Sequence, residues 1–212
     1  MKIFKLLIVA AAAMIGLSGC NKNDSNIDFS QDIVGTWIYC QEGEFEVLTI
    51  NADGSVLSNG MEDGEYWKGV SGSWTLDNNK FTMTFEDEDD FEGTVEVVAG
   101  HSLALSVDGN RYVYDYAEKT LPSKFVGTWS TNQESWVETL VIHADGSVTS
   151  TGNDGTESWE NVEGNVLVAC NSIYIGFDDE DDFAGEFEIV SGETLVLINI
   201  VSGDRVTYRN VK

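Results

Sequence analysis

Apolar and polar residues alternate with a period of two along most of the chain beyond residue 30. Phe81, Met83 and Phe85 alternate with Thr82 and Thr84, and Val95 and Val97 with Thr94 and Glu96. Further along, Ile173, Ile175 and Phe177 repeat the first pattern, and Phe187 and Ile189 alternate with Glu186 and Glu188. Successive side chains of a strand point to opposite faces, so the pattern predicts antiparallel strands with one face buried and one wet. Turn formers separate the runs at Asp53-Gly54, Asn78-Asn79, Gly100 and Asp108-Gly109-Asn110. No segment past the N-terminus sustains a helical period. The chain reads as all-β.

The strand pattern is written twice. Gly35-Thr36-Trp37 recurs as Gly127-Thr128-Trp129, Ala52-Asp53-Gly54-Ser55-Val56 as Ala144 to Val148, and Asp87 to Phe91 as Asp179 to Phe183, all at one offset of 92. Laid without a gap, residues 33–107 and 125–199 share 33 identities in 75 positions. Near the end the offset becomes 94, matching Arg111 to Arg205 and Tyr114 to Tyr208. About eight short strands at regular spacing fit each copy, which suggests a barrel or sandwich. The only proline, Pro122, lies at the join. The expected domains are 30–117 and 124–212, with 118–123 as linker.

Residues Met1 to Cys20 depart from this pattern. Lys2 and Lys5 precede an apolar run from Leu6 to Ile15, too short for a permanent span of about 20 residues. The run ends in Leu17-Ser18-Gly19-Cys20, which resembles the bacterial lipobox. The resemblance implies cleavage of a signal peptide at residues 1–19 and lipidation of Cys20. Residues 20–29 then form a polar tether, and the protein is expected in the bacterial cell envelope, at the outer membrane. Its partners would be that membrane, through the anchor, and a small ligand or another envelope protein.

Charge narrows the partners further. The chain has 11 Lys and Arg against 37 Asp and Glu, a net of −26. Cleavage before Cys20 would remove Lys2 and Lys5 and leave −28. Nucleic acid is excluded as the expected partner, because phosphate binding needs clustered cations. An anionic membrane surface repels the same charge and would hold the domains away from it.

Gly-Thr-Trp at the start of each copy, a terminal Arg and the strand count resemble the lipocalin family, and most closely the small lipocalin-like domains of envelope lipoproteins. The likeness implies two tandem antiparallel up-and-down β-barrels. It also implies that Arg111 packs across Trp37, and Arg205 across Trp129, to close each barrel. Each copy is about half a full lipocalin, has no C-terminal helix pattern and lacks the family's middle Thr-Asp-Tyr motif.

Little else in the sequence points to chemistry. Nucleophile motifs, Gly-rich phosphate loops and zinc spacings are all missing, so no enzyme activity and no cofactor are expected. The acidic runs offer one metal reading, a Ca²⁺ site on Asp87, Asp89 and Asp90 and another on Asp179, Asp181 and Asp182. Against it, such runs serve as solvated turns that keep strand edges from pairing. Trp67 and Trp159, which match across the copies and follow loops rich in Gly and acid, are the candidate ligand-binding aromatics. A core role is the alternative for both. Cys40 and Cys170 have no thiol at the matched positions, and nothing in their spacing predicts a bridge.

Overall fold

A computed structural model describes residues 32–41, 43–62, 64–86, 90–98, 101–118, 120–133, 135–178 and 182–211. The first copy supplies β1 (Gly35–Gln41), β2 (Glu44–Ile50), β3 (Ser55–Glu62), β4 (Glu65–Asp77), β5 (Lys80–Phe85), β6 (Phe91–Val98), β7 (Ser102–Val107) and β8 (Asn110–Tyr116). The second supplies β9 (Gly127–Gln133), β10 (Trp136–Ile142), β11 (Ser147–Asn153), β12 (Ser158–Ala169), β13 (Ser172–Phe177), β14 (Phe183–Val190), β15 (Thr194–Asn199) and β16 (Arg205–Asn210). Each set of eight forms a closed barrel of neighbours in chain order. The last strand meets the first where Tyr116 stands opposite Trp37, and where Asn210 stands opposite Trp129. Closure leaves no sheet edge to template aggregation. Among the described residues, no helix is long and apolar enough to cross a membrane.

The alternating residues face inward as expected. Trp37, Leu48, Phe81, Met83, Phe91 and Leu103 belong to the core of the first barrel, and Trp129, Leu140, Ile173, Ile175 and Leu195 to that of the second. The short segment before each first strand closes one end. Trp37 Nε1 donates to the Ile33 carbonyl at 2.9 Å, and Trp129 Nε1 to that of Phe125 at 2.8 Å. Ile33 and Phe125 are both fully buried beneath these indoles. The Gly-Thr-Trp repeat is therefore a plug: the indole spans four residues back to fix the entering chain, satisfying a carbonyl that would otherwise be orphaned.

The stretch expected as a linker is partly built into the second unit, which comprises Cys40–Phe45 and Ala117–Lys212. Glu118 N donates to Val168 O and Leu121 N to Ala144 O, each at 3.1 Å. Leu121 joins the second core, since an apolar side chain beside an open barrel end is better buried than left in water.

Turn chemistry follows the sequence. Asp53 Oδ1 accepts the backbone N–H and the hydroxyl of Ser55, and Asp145 does the same for Ser147. These bonds hold both carboxyls below the usual carboxylate range. At the hairpin joining β4 to β5, Asn78 adopts a left-handed φ of 60°, and Cys170, its counterpart between β12 and β13, one of 50°. Asn tolerates this conformation and Cys does not. Cys170→Asn is therefore expected to stabilise the second barrel by about 0.5–1 kcal/mol in urea unfolding. Equal or lower stability would mean that the strain is already relieved.

Candidate functional site

Inside each barrel sits a buried carboxylate, and the two are built alike. Glu46 on β2 and Glu138 on β10 share the inward face with Leu48 and Leu140, and are 8% and 7% exposed. Ser58 Oγ donates to Glu46 Oε1 at 2.6 Å, and Tyr114 OH donates to Oε2 at 2.5 Å. In the second barrel Ser150 Oγ and Tyr208 OH make the same bonds to Glu138, at 2.7 and 2.6 Å. Trp67 Nε1 donates to Ser58 Oγ at 2.8 Å, and Trp159 Nε1 to Ser150 Oγ at 2.7 Å. An indole only donates, so the serine oxygen accepts from it and passes its own proton toward the carboxylate. The result is a directed chain, indole to serine to carboxylate, with tyrosine entering from the other side.

A bulge aims the tryptophan. Ser58 pairs with Val70 and Gly60 with Trp67, so β4 carries one more residue than β3 across this step; Ser150, Gly152, Val162 and Trp159 repeat it. The extra residue reverses the parity of β4 and β12. It lets Trp67 and Val70 face the same interior, as it does Trp159 and Val162. Gly69 (φ 68°) and Asn161 (φ 53°) take the left-handed conformation the bulge requires. Their amides are satisfied by Asn59 Oδ1 and Thr151 Oγ1, respectively. Gly152, opposite Trp159, is needed for room, because a Cβ there would overlap the indole.

Trp67 and Trp159, the candidate ligand-binding aromatics, are half-buried with their N–H groups aimed inward. The expected arginine stacking gives way. Tyr112 and Tyr114 alternate with Arg111, and Val206 and Tyr208 with Arg205, so inward tyrosines force the arginines outward. Arg111 pairs with Glu96 at 3.4 Å and Arg205 with Glu188 at 2.8 Å, all four side chains about half exposed or more. Tyr116, not Arg111, packs edge-on against Trp37, with ring centroids 5.2 Å apart.

Of the residues proposed for Ca²⁺, Asp87, Asp89, Asp179 and Asp181 lie outside the described residues, as does Cys20. Asp90 is exposed. Asp182 is occupied within its own hairpin, accepting from Tyr174 OH at 2.6 Å and Phe177 N at 3.1 Å. No group of three or more potential metal ligands forms among the described residues. No disulfide joins Cys40 and Cys170. Burial pushes the Cys40 thiol up to about 11, away from the reactive thiolate.

The sequence reading passed over Glu46 and Glu138. The available signal was an acid at an inward-facing position in both copies, within Glu44-Phe45-Glu46-Val47-Leu48 and Trp136-Val137-Glu138-Thr139-Leu140. Chemically, Ser58 beside Glu46 has the outline of a nucleophile and base. Yet Ser58 is 1% exposed and Ser150 3%, and each serine already accepts from one partner and donates to another. A hydroxyl that nothing outside reaches holds the core instead.

No family model matches the chain, and no curated protein matches it. Among solved structures, the DNA polymerase sliding clamp of Pseudomonas aeruginosa aligns at 5% identity and a TM-score of 0.15, over 87% of this chain and 58% of its own. A putative DNA polymerase III beta subunit from Eubacterium rectale aligns at 7% identity and a TM-score of 0.15, over 89% and 59%. The chain spans less than two thirds of either clamp. Scores this low carry no argument about fold or function.

Burial opposes ionisation of Glu46 and raises its carboxyl above the ordinary 4.5, although the bonds from Ser58 and Tyr114 pull the other way. A raised folded value favours the fold while the group is protonated, and that contribution fades as pH rises from about 4.5 through the folded value. Relative to Glu46→Gln, the native protein is expected to lose stability with rising pH across that window. Parallel stability curves would refute it. Tyr114, Tyr174 and Tyr208 are held protonated, chiefly by burial and then by their carboxylate neighbours. In an alkaline titration followed by phenolate absorbance, these three of seven tyrosines are expected to ionise only on unfolding.

Proposed function

We propose that this chain is a lipid-anchored, non-catalytic protein of the bacterial cell envelope that presents two barrels as interaction bodies through an acidic surface. The observation that carries the reading is the paired interior network. Glu46 and Glu138 are each bonded on both oxygens by hydroxyls of the same barrel. Polar groups used in this way serve cohesion rather than turnover. The chemistry that meets the outside is then the surface of a chain in which Asp and Glu outnumber Lys and Arg by 37 to 11.

The anchor rests on the lipobox likeness at Leu17 to Cys20, with the tether at residues 20–29 between lipid and first barrel. The lipocalin likeness keeps its Gly-Thr-Trp plug and its barrel, and loses its arginine. A partner for this surface carries compensating positive charge, and its binding weakens with salt over the range where the Debye length falls from about 10 to 3 Å.

Cys20 supplies the test. In a bacterial host, Cys20→Ser is expected to abolish labelling by radioactive palmitate and to move the protein from the membrane to the soluble fraction. The circular dichroism of its barrels should not change. Membrane attachment that survives the substitution would remove the anchor from this reading.

A further inference from the structure

Cys40 and Cys170 are each peculiar to one copy. At the position matched to Cys40 the second copy has Asn132, and at the position matched to Cys170 the first has Asn78. Neither thiol belongs to the repeated pattern, and neither has an equivalent to pair with. Both nevertheless fall in one unit. The second unit takes in Cys40–Phe45 together with Ala117–Lys212, so it holds the two of them.

Contacts along β13 place the first thiol. Ile173 and Ile175 point into the second core, so Ser172 and Tyr174 stand on the outer face of that strand. Cys40 lies against Ser172 and against Glu186, the ladder partner of Ser172 on β14. Phe45 packs its ring 5.9 Å from that of Tyr174. The segment is thus held to β13 at both of its ends. Cys170 occupies the tip of the hairpin that leads into the same strand, where Ala169 and Ser172 form the last ladder pair. Only Asn171 separates Cys170 from Ser172, so the tip carries the second thiol to the neighbourhood of the first.

The backbone of Cys170 gives an independent reason to connect them. It holds a left-handed φ of 50°, a conformation that suits Asn78 at the matched tip and not a cysteine. Strained residues persist where some other role over-determines them. A sulfur–sulfur bond is such a role, since it requires cysteine at this tip. The two thiols also differ in a useful way. Cys170 is exposed and open to an oxidant. Cys40 is partly covered, and burial above all pushes it up to about 11, which makes it the poorer first nucleophile.

We infer that Cys40 and Cys170 close a disulfide in an oxidising compartment, fastening the Cys40–Phe45 segment to the β12–β13 hairpin within the second unit. With glutathione disulfide as oxidant, the Cys170 thiolate attacks one of its sulfurs and expels a glutathione thiolate. The Cys40 thiolate then attacks the Cys170 sulfur of that mixed disulfide and expels the second. One S–S bond breaks and one forms. Two electrons pass from the protein thiols to glutathione, and the two thiol protons end on the departing thiolates. The inference rests on the envelope reading only for the surroundings in which cells would supply the oxidant.

The probe is a buffer of reduced and oxidised glutathione, applied to the full chain carrying Cys20→Ser so that no third thiol competes. After acid quenching and alkylation, one peptide pair linking Cys40 to Cys170 is expected to hold nearly all of both cysteines. The chain should be lighter by two hydrogen atoms. Linkage is expected to be about tenfold faster in the folded chain than in urea, where so long a loop seldom closes. Oxidation is expected to raise the urea midpoint and reduction to reverse it. Cys40→Asn and Cys170→Asn, which install the residue of the other copy, are each expected to abolish both changes. The gain expected of Cys170→Asn in the second barrel is measured against the reduced chain. Separate glutathione adducts on the two cysteines, or linkage no faster folded than unfolded, overturn the proposal. Alkylation of the native protein in intact cells then separates the two readings. A linked pair there supports both, whereas linkage in buffer with reduced thiols in cells supports the pairing and counts against the envelope.

Discussion

A carboxylate inside a closed barrel imposes more on this protein than any apolar contact. Moving an unpaired charge out of water is so unfavourable that the group must be neutralised, paired or surrounded by donors. Glu46 and Glu138 are surrounded by donors, each by one serine from the next strand and one tyrosine from the last strand of its barrel. Tyr114 reaches Glu46 across 68 residues and Tyr208 reaches Glu138 across 70. Each of these bonds forms only when the last strand has come round to the first. Closure of the barrel and satisfaction of the carboxylate are therefore one event. Removing a single hydroxyl leaves a buried acceptor short of a partner, at about 1–3 kcal/mol.

The same constraint fixes register. A slip of one residue in β2 would turn Glu46 to solvent and Phe45 and Val47 inward, breaking both bonds at once. Apolar alternation alone specifies which face is buried, but it tolerates slips of two residues, and the carboxylate does not. The bulges of β4 and β12 belong to this arrangement. Without the extra residue the indoles of Trp67 and Trp159 would point outward, and Ser58 and Ser150 would lose the donor that orients their hydroxyls. Gly152 is the steric counterpart, a missing side chain where the indole lies flat across the ladder.

Much of the architecture was legible in the sequence because period-two alternation and a repeat at a constant offset are local signals. Phe81, Met83 and Phe85 read directly as one inward face, and Asp53-Gly54 as a turn. The interior site was less legible for two physical reasons. A bulge shifts side-chain parity without altering composition, so the inward aim of Trp67 is not written in the strand pattern. The partners of Glu46 come together only through closure, which no local pattern reports. The arginines show the opposite case. Arg111 alternates with Tyr112 and Tyr114, and that parity alone places it outside, where it meets Glu96. A family likeness had placed it on Trp37. Local stereochemistry was the better guide.

Duplication explains how the two interiors can share a constraint and still differ. The hydrogen-bonded carboxylate ties together β2, β3, β4 and β8, and their counterparts, so a change in any of its members is felt by all. Tyr39 packs beside this network, against the rings of Tyr112 and Tyr114. Replacement of Tyr39 and Tyr112 by Thr131 and Val206 alters packing while leaving the bonds to Glu138 in place. Packing losses of this kind are graded, set by how far the walls collapse, whereas loss of a donor to a buried charge is abrupt. The clamp repeats in both copies, whereas the packing around it varies, with Trp74, Phe81 and Val95 matched by Val166, Ile173 and Phe187. Both barrels keep the clamp, and each packs its own set of apolar side chains around it.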